Sequence, residues 1–190
     1  MKNLGHLLIA IALLASSNLA AARTKKHTLA QGVKQVIDTA LVKAPEDNEI
    51  CFAPDEPCAI KLAKFIESAK GSLDVAIYDV NEDQIVHAIL VQSKKIPVRV
   101  VVDRKQSKGS HSAVGLLQKA GVKVRFGYQR GIMHDKFTVV DGKRVETGSF
   151  NYTNHASTAN QENQVYLSTP AIVERYKTRF DKMWGDAKIE

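Results

Sequence analysis

Residues 73–102 read LDVAIYDVNEDQIVHAILVQSKKIPVRVVV, and the fold class turns on how this stretch is parsed. Leu73 to Val80, carrying Leu73, Val75, Ala76, Ile77 and Val80, reads as a buried-strand run. Asp83 to Ser93 then places Ile85, Val86 and Ile89 on one helical face. Val98 to Val102 is a second β-branched run. Strand, helix and strand in such close succession make a parallel crossover unit. Downstream, Ser112 to Ala120 reads as a short helix closed by Gly121, and Val122 to Phe126 as a third strand. Upstream, Leu29, Val33, Val36, Ile37, Ala40 and Leu41 recur at helical spacing within 28–43. Ile50 to Ala53 reads as a short strand. A helix follows Pro57 and ends at Gly71. The last twenty residues form one amphipathic helix carrying Ile172, Val173, Tyr176, Phe180, Met183 and Trp184. The expected fold is α/β: a mixed, largely parallel β-sheet flanked by helices on both faces, in one domain.

The chain has 190 residues, a formal net charge of +7 and 44% hydrophobic residues. This composition excludes collagen, coiled coil and disorder as descriptions of the whole chain. The basic excess permits a polyanionic partner without proving one. Lys2, the apolar run Leu7 to Ala15 and the small residues Ala20, Ala21 and Ala22 have the layout of a secretory signal peptide. The alternative, a membrane anchor, is disfavoured because the apolar run is short and is followed by Ser16, Ser17 and Asn18. We therefore expect a signal over 1–22, a mature domain over 23–190 without stable membrane insertion, and a periplasmic or secreted location. Cys51 and Cys58 agree with export, since an oxidising compartment lets them pair. Closing so short a loop stabilises by roughly 2–3 kcal/mol in the chain-entropy description. The alternative is two free thiols.

The chemistry is concentrated in residues 134–151, HDKFTVVDGKRVETGSFN. Phe137 to Val140 is strand-like, Asp141-Gly142 is a hairpin signal, and Val145 to Phe150 returns. Alternate strand residues share a face, so His134 goes with Lys136 and Ser149 with Asn151. A two-residue loop at Gly142-Lys143 pairs Lys136 with Ser149 and His134 with Asn151. An imidazole, an ammonium, a hydroxyl and an amide then form one patch. Lys136, Ser149 and Asn151 are donors suited to non-bridging phosphate oxygens. His134 can act as nucleophile or as general acid and base near neutral pH. Clustered carboxylates of the kind a two-metal centre needs are missing from this segment.

His134-x-Lys136-x4-Asp141, followed by Gly148-Ser149-x-Asn151, resembles the signature of the phospholipase D superfamily. In length and layout the chain is similar to the small bacterial Nuc-type endonucleases of that superfamily. The resemblance implies that His134 attacks phosphorus and that a homodimer supplies a second His134 as general acid. Water then hydrolyses the phosphohistidine, with no metal or cofactor. Lys136 and Asn151 clamp the phosphate, with Ser149 nearby. Glu162, in Gln161-Glu162-Asn163, matches the glutamate that orients the nucleophilic histidine. Asp141 and Gly148 belong to the motif, and Asp141 is read as supporting the hairpin.

Weaker candidates surround this set. Arg104, Lys105 and Lys108 follow the strand that begins at Val98, at the end where α/β sheets place ligands, and Arg130 shortly precedes His134. A cluster of such residues tracks a nucleic-acid backbone through phosphates, although any one of them taken alone reads better as an ordinary surface charge. His155 follows the hairpin and could line the cleft. The expected function is a sequence-nonspecific endonuclease acting on DNA, with RNA left open. A lipid phosphodiesterase using the same site and a nucleic-acid binding module without catalysis are the alternatives. The polar and basic residues around the motif favour the nuclease.

Overall fold

In chain order the elements are β1 (Ile50–Ala53), α1 (Cys58–Glu67), β2 (Leu73–Ile77), α2 (Asp83–Ser93), β3 (Val98–Asp103), a 3-10 turn (Gln106–Lys108), α3 (Val114–Lys119), β4 (Lys123–Gly127), β5 (Lys136–Val140), β6 (Arg144–Gly148), α4 (Asn154–Thr158), β7 (Glu162–Leu167) and α5 (Pro170–Asp186). This computed structural model describes residues 40–127 and 131–189. The signal-like segment 1–22, the start of the mature domain, residues 28–39 of the helix expected over 28–43, and Arg130 lie outside the described residues; of the rest of that helix, residues 40 and 41 are helical and 42 and 43 are not. Residues 43–190 group as one unit, and all of these elements belong to it.

The strands form one seven-stranded sheet in the order β1-β7-β6-β5-β2-β3-β4. It is mixed, with helices on both faces, but its parallel part is smaller than expected. Among the described strands only β2–β3 and β3–β4 run parallel, joined by helical crossovers. The β1–β7, β7–β6, β6–β5 and β5–β2 pairs are antiparallel. The β5–β6 connection is too short for a crossover, and only antiparallel pairing can follow so tight a turn.

One face of the sheet buries Leu73, Val75, Ile77, Val100 and Val102 against α1, α2 and α3. The other buries Ala76, Val101, Phe137 and Val139 against Val173, Phe180 and Met183 of α5. Alternate residues of β2 and β3 thus serve opposite layers, which explains why apolar residues stand on both faces of these strands, interrupted only by the paired Asp74 and Arg99 and by Asp103 at the end of β3. Arg99 of β3 fastens α5 to its face: its Nε and Nη2 donate to the buried Asp74 at 2.7 and 2.8 Å, and Nη2 also donates to Asp181 at 2.8 Å. The guanidinium of Arg99 lies 5.5 Å from the Trp184 ring and that of Arg125 lies 4.3 Å from it. Cation–π contacts of this kind contribute roughly 0.5–2 kcal/mol each.

Cys51 and Cys58 form a disulfide with Cα atoms 5.7 Å apart, tying β1 to the start of α1. The helix after Pro57 stops at Glu67 instead of reaching Gly71. The reason is tertiary. The backbone N–H groups of Lys70, Gly71 and Ser72 donate to the Asp141 carboxylate, so they are not available to continue a helix. Likewise β2 ends at Ile77. Val80 forms a separate parallel bridge to Tyr152, and Tyr78 and Asp79 leave the ladder at the end of the sheet where the motif residues lie.

Candidate active site

The β5–β6 hairpin carries the motif, and its register differs from the expected one. Val140 pairs with Arg144 and Phe137 with Thr147, so the loop holds three residues, Asp141, Gly142 and Lys143. Pairing of Lys136 with Ser149 and of His134 with Asn151 is therefore corrected by one position. Asp141 and Gly142 adopt φ of 56° and 61°, the left-handed conformation that Asp and Gly tolerate best. Lys143 N–H donates to Val140 O at 2.9 Å, closing a tight turn, and Lys143 is the extra residue before the ladder resumes.

A one-residue slip on regular strands would send Ser149 to the opposite face. The chain avoids this because β6 ends at Gly148. A Cβ on Gly148 would lie 2.0 Å from Asn163 O, so only glycine allows β7 to approach this closely. Beyond it, Ser149 N–H donates to Asn163 O at 3.1 Å and Ser149 Oγ accepts from Asn163 N–H at 3.1 Å. Phe150 and Tyr152 are fully buried, which leaves Ser149 and Asn151 on the other side of the segment.

His134 is exposed, while Lys136 is buried at 8% exposure. Lys136 Nζ donates to His134 O at 2.9 Å, which couples the two motif residues directly. Burial pushes the Lys136 ammonium below its usual range, with the charges of Glu162 and Asp135 acting in the opposite sense. Glu162, the first residue of β7, accepts from Ser149 Oγ and, at 3.0 Å, from Asn160 Nδ2. The expected contact of Glu162 with His134 is absent among the described residues. The carboxylate is turned toward Ser149 because β7 lies against the end of β6. Asn151 Oδ1 is buried without a hydrogen-bond partner, so a polar atom at the site is left unsatisfied. Asp135 points the other way, toward α5, where Arg179 donates to it at 3.1 Å.

Asp141 sits at the far end of the hairpin from His134. Its Oδ1 accepts from Gly71 N–H at 2.6 Å and Ser72 N–H at 3.0 Å. Burial raises its pKa, but the N–H donors of Ser72, Gly71 and Lys70 prevail and hold it below the usual carboxylate range. Arg104, Lys105 and Lys108 lie on or beside the turn after β3. That turn reaches the site through Gln106, whose Nε2 donates to Tyr78 Oη at 2.6 Å. His155 stands exposed in α4, and no contact joins it to His134 among the described residues.

Three residues that the sequence did not single out hold the site together. Tyr78 packs edge-to-face on His134, with ring centroids 4.6 Å apart. Buried Asp103 accepts Met133 N–H at 2.9 Å, one residue before His134. Gln106 links the two through its bond to Tyr78 and its own N–H donation to Asp103 Oδ1 at 3.1 Å. The one local signal was the position of Tyr78 and Asp103 at the C-terminal ends of β2 and β3.

The family described as cardiolipin synthase, PLD-like domain, matches residues 62–184. A mitochondrial cardiolipin hydrolase from Chlamydomonas reinhardtii is 34% identical over 127 residues, covering 65% of this chain and 57% of that relative. The chain thus spans little more than half of that relative's length. Among solved structures, a phospholipase D family member, Nuc from Salmonella typhimurium, is 28% identical with a TM-score of 0.69, over 74% of this chain and 95% of its own. NucT from Helicobacter pylori has the same identity and TM-score, over 74% of this chain and 97% of its own. With its single His-x-Lys-x4-Asp motif on a hairpin, the chain belongs to the phospholipase D superfamily, as a Nuc-type member.

Proposed function

We propose that the chain is an exported phosphodiesterase that cuts DNA without reading its sequence, with an active site completed by a second copy of the chain. The observation that supports this most is the meeting of exposed His134, buried Lys136 and the Ser149–Glu162 pair at one end of the sheet, with Ser149 two residues before Asn151, whose Oδ1 is buried without a partner. A chain with one such motif holds one histidine for a reaction that needs a nucleophile and an acid. The polyanionic substrate is supported by the turn bearing Arg104, Lys105 and Lys108, which is tied to the site through Gln106. The disulfide and the signal-like layout of 1–22 support a periplasmic or secreted location.

On this reading a ring nitrogen of His134 attacks phosphorus and the bond to the leaving oxygen breaks. The partner's histidine gives that oxygen its proton. A water then attacks the phosphohistidine and passes a proton back to the partner's histidine, restoring both rings. Lys136 and Asn151 stabilise charge on the non-bridging oxygens. Glu162 acts on Ser149 and, through its charge, on Lys136 rather than on His134. The test is plasmid cleavage in EDTA by wild type and His134→Ala, with the mass measured by light scattering. Cleavage lost in the variant, from a dimer, is the expected result. Cleavage retained in His134→Ala refutes the mechanism, and a fully active monomer refutes the shared site.

A second reading is favoured by the cardiolipin hydrolase named among the relatives: a lipid phosphodiesterase using the same groups. Headgroup release from cardiolipin vesicles without DNA cleavage would select it. Tight DNA binding with neither activity would select a binding module.

A further inference from the structure

Tyr78 follows directly on β2, whose last residue, Ile77, pairs with Lys136. It is the first residue to leave the ladder, and its side chain meets three others. The imidazole of His134 packs on it edge-to-face with centroids 4.6 Å apart and planes inclined by 70°. Lys136 Nζ lies over the ring, 5.3 Å from its centroid. Its hydroxyl accepts from Gln106 Nε2 at 2.6 Å. We propose that Tyr78, locked by Gln106, is a positioning residue that fixes the His134 imidazole and the Lys136 ammonium relative to each other and couples both to the basic turn after β3. The inference rests on the phosphodiesterase reading of the same site.

The physical case is one of restricted freedom. His134 is exposed, and an exposed imidazole is free to rotate about two side-chain bonds. A ring packed against it removes most of those orientations before substrate arrives, which is how a positioned nucleophile gains rate. Lys136 already gives one N–H to His134 O, and the tyrosine face attracts the ammonium through its quadrupole. The same ring keeps water from the ammonium, whose pKa burial lowers while Glu162 of β7 and Asp135 act against that shift. Gln106 is itself anchored, since its N–H donates to Asp103 Oδ1. The turn that bears Arg104, Lys105 and Lys108 is thereby joined to the tyrosine ring.

The experiment uses the mature chain and bis(4-nitrophenyl) phosphate, a small diester that requires neither DNA nor a lipid surface. kcat and KM are measured across pH for wild type, Tyr78→Leu, Tyr78→Phe, Gln106→Ala and the Tyr78→Phe/Gln106→Ala double variant. The His134 ring resonances are followed by NMR. Tyr78→Leu is expected to lower kcat about 10- to 100-fold with little change in KM. It should also move the alkaline limb of the rate profile upward as water reaches Lys136, and shift the His134 signals. Tyr78→Phe keeps the ring and should retain most of kcat. Its loss should be no greater when Gln106→Ala is added, because both changes break the same bond. A folded Tyr78→Leu variant with wild-type kcat, profile and ring signals would overturn the proposal. If that variant does not fold, additive losses in the Phe/Ala cycle overturn it instead. Absence of diester hydrolysis in wild type would sink the phosphodiesterase reading alone. The His134 signals of Tyr78→Leu would then decide the positioning role.

Discussion

Asp103 and Met133 are joined by a hydrogen bond that links the end of β3 to the segment delivering the histidine. The buried carboxylate accepts Met133 N–H through Oδ2 at 2.9 Å, while Oδ1 takes Lys105 N–H at 2.9 Å and Gln106 N–H at 3.1 Å. One side chain therefore sets both the approach to His134 and the start of the basic turn. Asp103→Ala leaves three buried or half-buried donors without their acceptor. We expect a loss of about 1–3 kcal/mol in stability and a fall in kcat of about 10-fold or more through misplacement of His134. Urea unfolding and steady-state rates measure the two separately.

Gly148→Ala tests the close approach of β6 and β7. The new methyl would meet Asn163 O at 2.0 Å and its carbonyl carbon at 2.8 Å. Backbone cannot yield as a flexible side chain can, so the cost should be about 3 kcal/mol or more. Ser149 would lose its place against Glu162, and activity should fall further than the folded fraction measured by circular dichroism.

Asp141 belongs to the motif but acts on the fold. Its pKa is lowered by the N–H groups of Ser72, Gly71 and Lys70 against the opposing effect of burial. The stability it contributes is therefore present above the ordinary carboxyl value of 3.8 and is lost as pH falls through the lower folded value. Asp141→Ala should lose on the order of 1 kcal/mol at neutral pH. The difference from wild type should shrink in thermal unfolding below that range, and stability should suffer more than rate.

Glu146 predicts the opposite pH dependence. It is fully buried, its Oε2 accepts from Tyr152 Oη at 2.6 Å, and Tyr152 Oη is joined to Thr138 Oγ1 at 2.6 Å. Burial pushes its carboxyl up to about 8, with the Tyr152 hydroxyl pulling the other way. The folded value exceeds the unfolded one, so the stability tied to the neutral form is complete below 4.5 and is lost as pH rises through about 8. Melting temperature should decline across that window in wild type. It should decline less in Glu146→Gln, which mimics the neutral carboxyl.

The helix over Asp83–Ser93 and the strand starting at Val98 are found where their periodicity puts them, because each depends on a local repeat of apolar residues. The motif was legible for the same reason: His134, Lys136, Asp141, Gly148, Ser149 and Asn151 lie within eighteen consecutive residues. The hairpin register was not. It is coupled to Asp141, whose left-handed turn conformation accompanies capture of its carboxylate by Lys70, Gly71 and Ser72, some seventy residues away. The same capture ends α1 at Glu67, four residues before the glycine that local chemistry marks as its stop.

By itself the sequence determined the α/β class, the strands and helices at its centre, and the hairpin that carries the motif. These follow from spacing along the chain. Only the tertiary structure decided that four of the six pairings among the described strands are antiparallel, that Glu162 turns to Ser149, and that Tyr78 packs on His134 while Gln106 holds Tyr78 and Asp103 holds Met133 beside it. Those relationships join residues at or just beyond the ends of β2, β3, β5, β6 and β7. Their neighbours in space are set by the order of strands in the sheet and by backbone hydrogen bonds across it, and no local pattern of residues encodes that order.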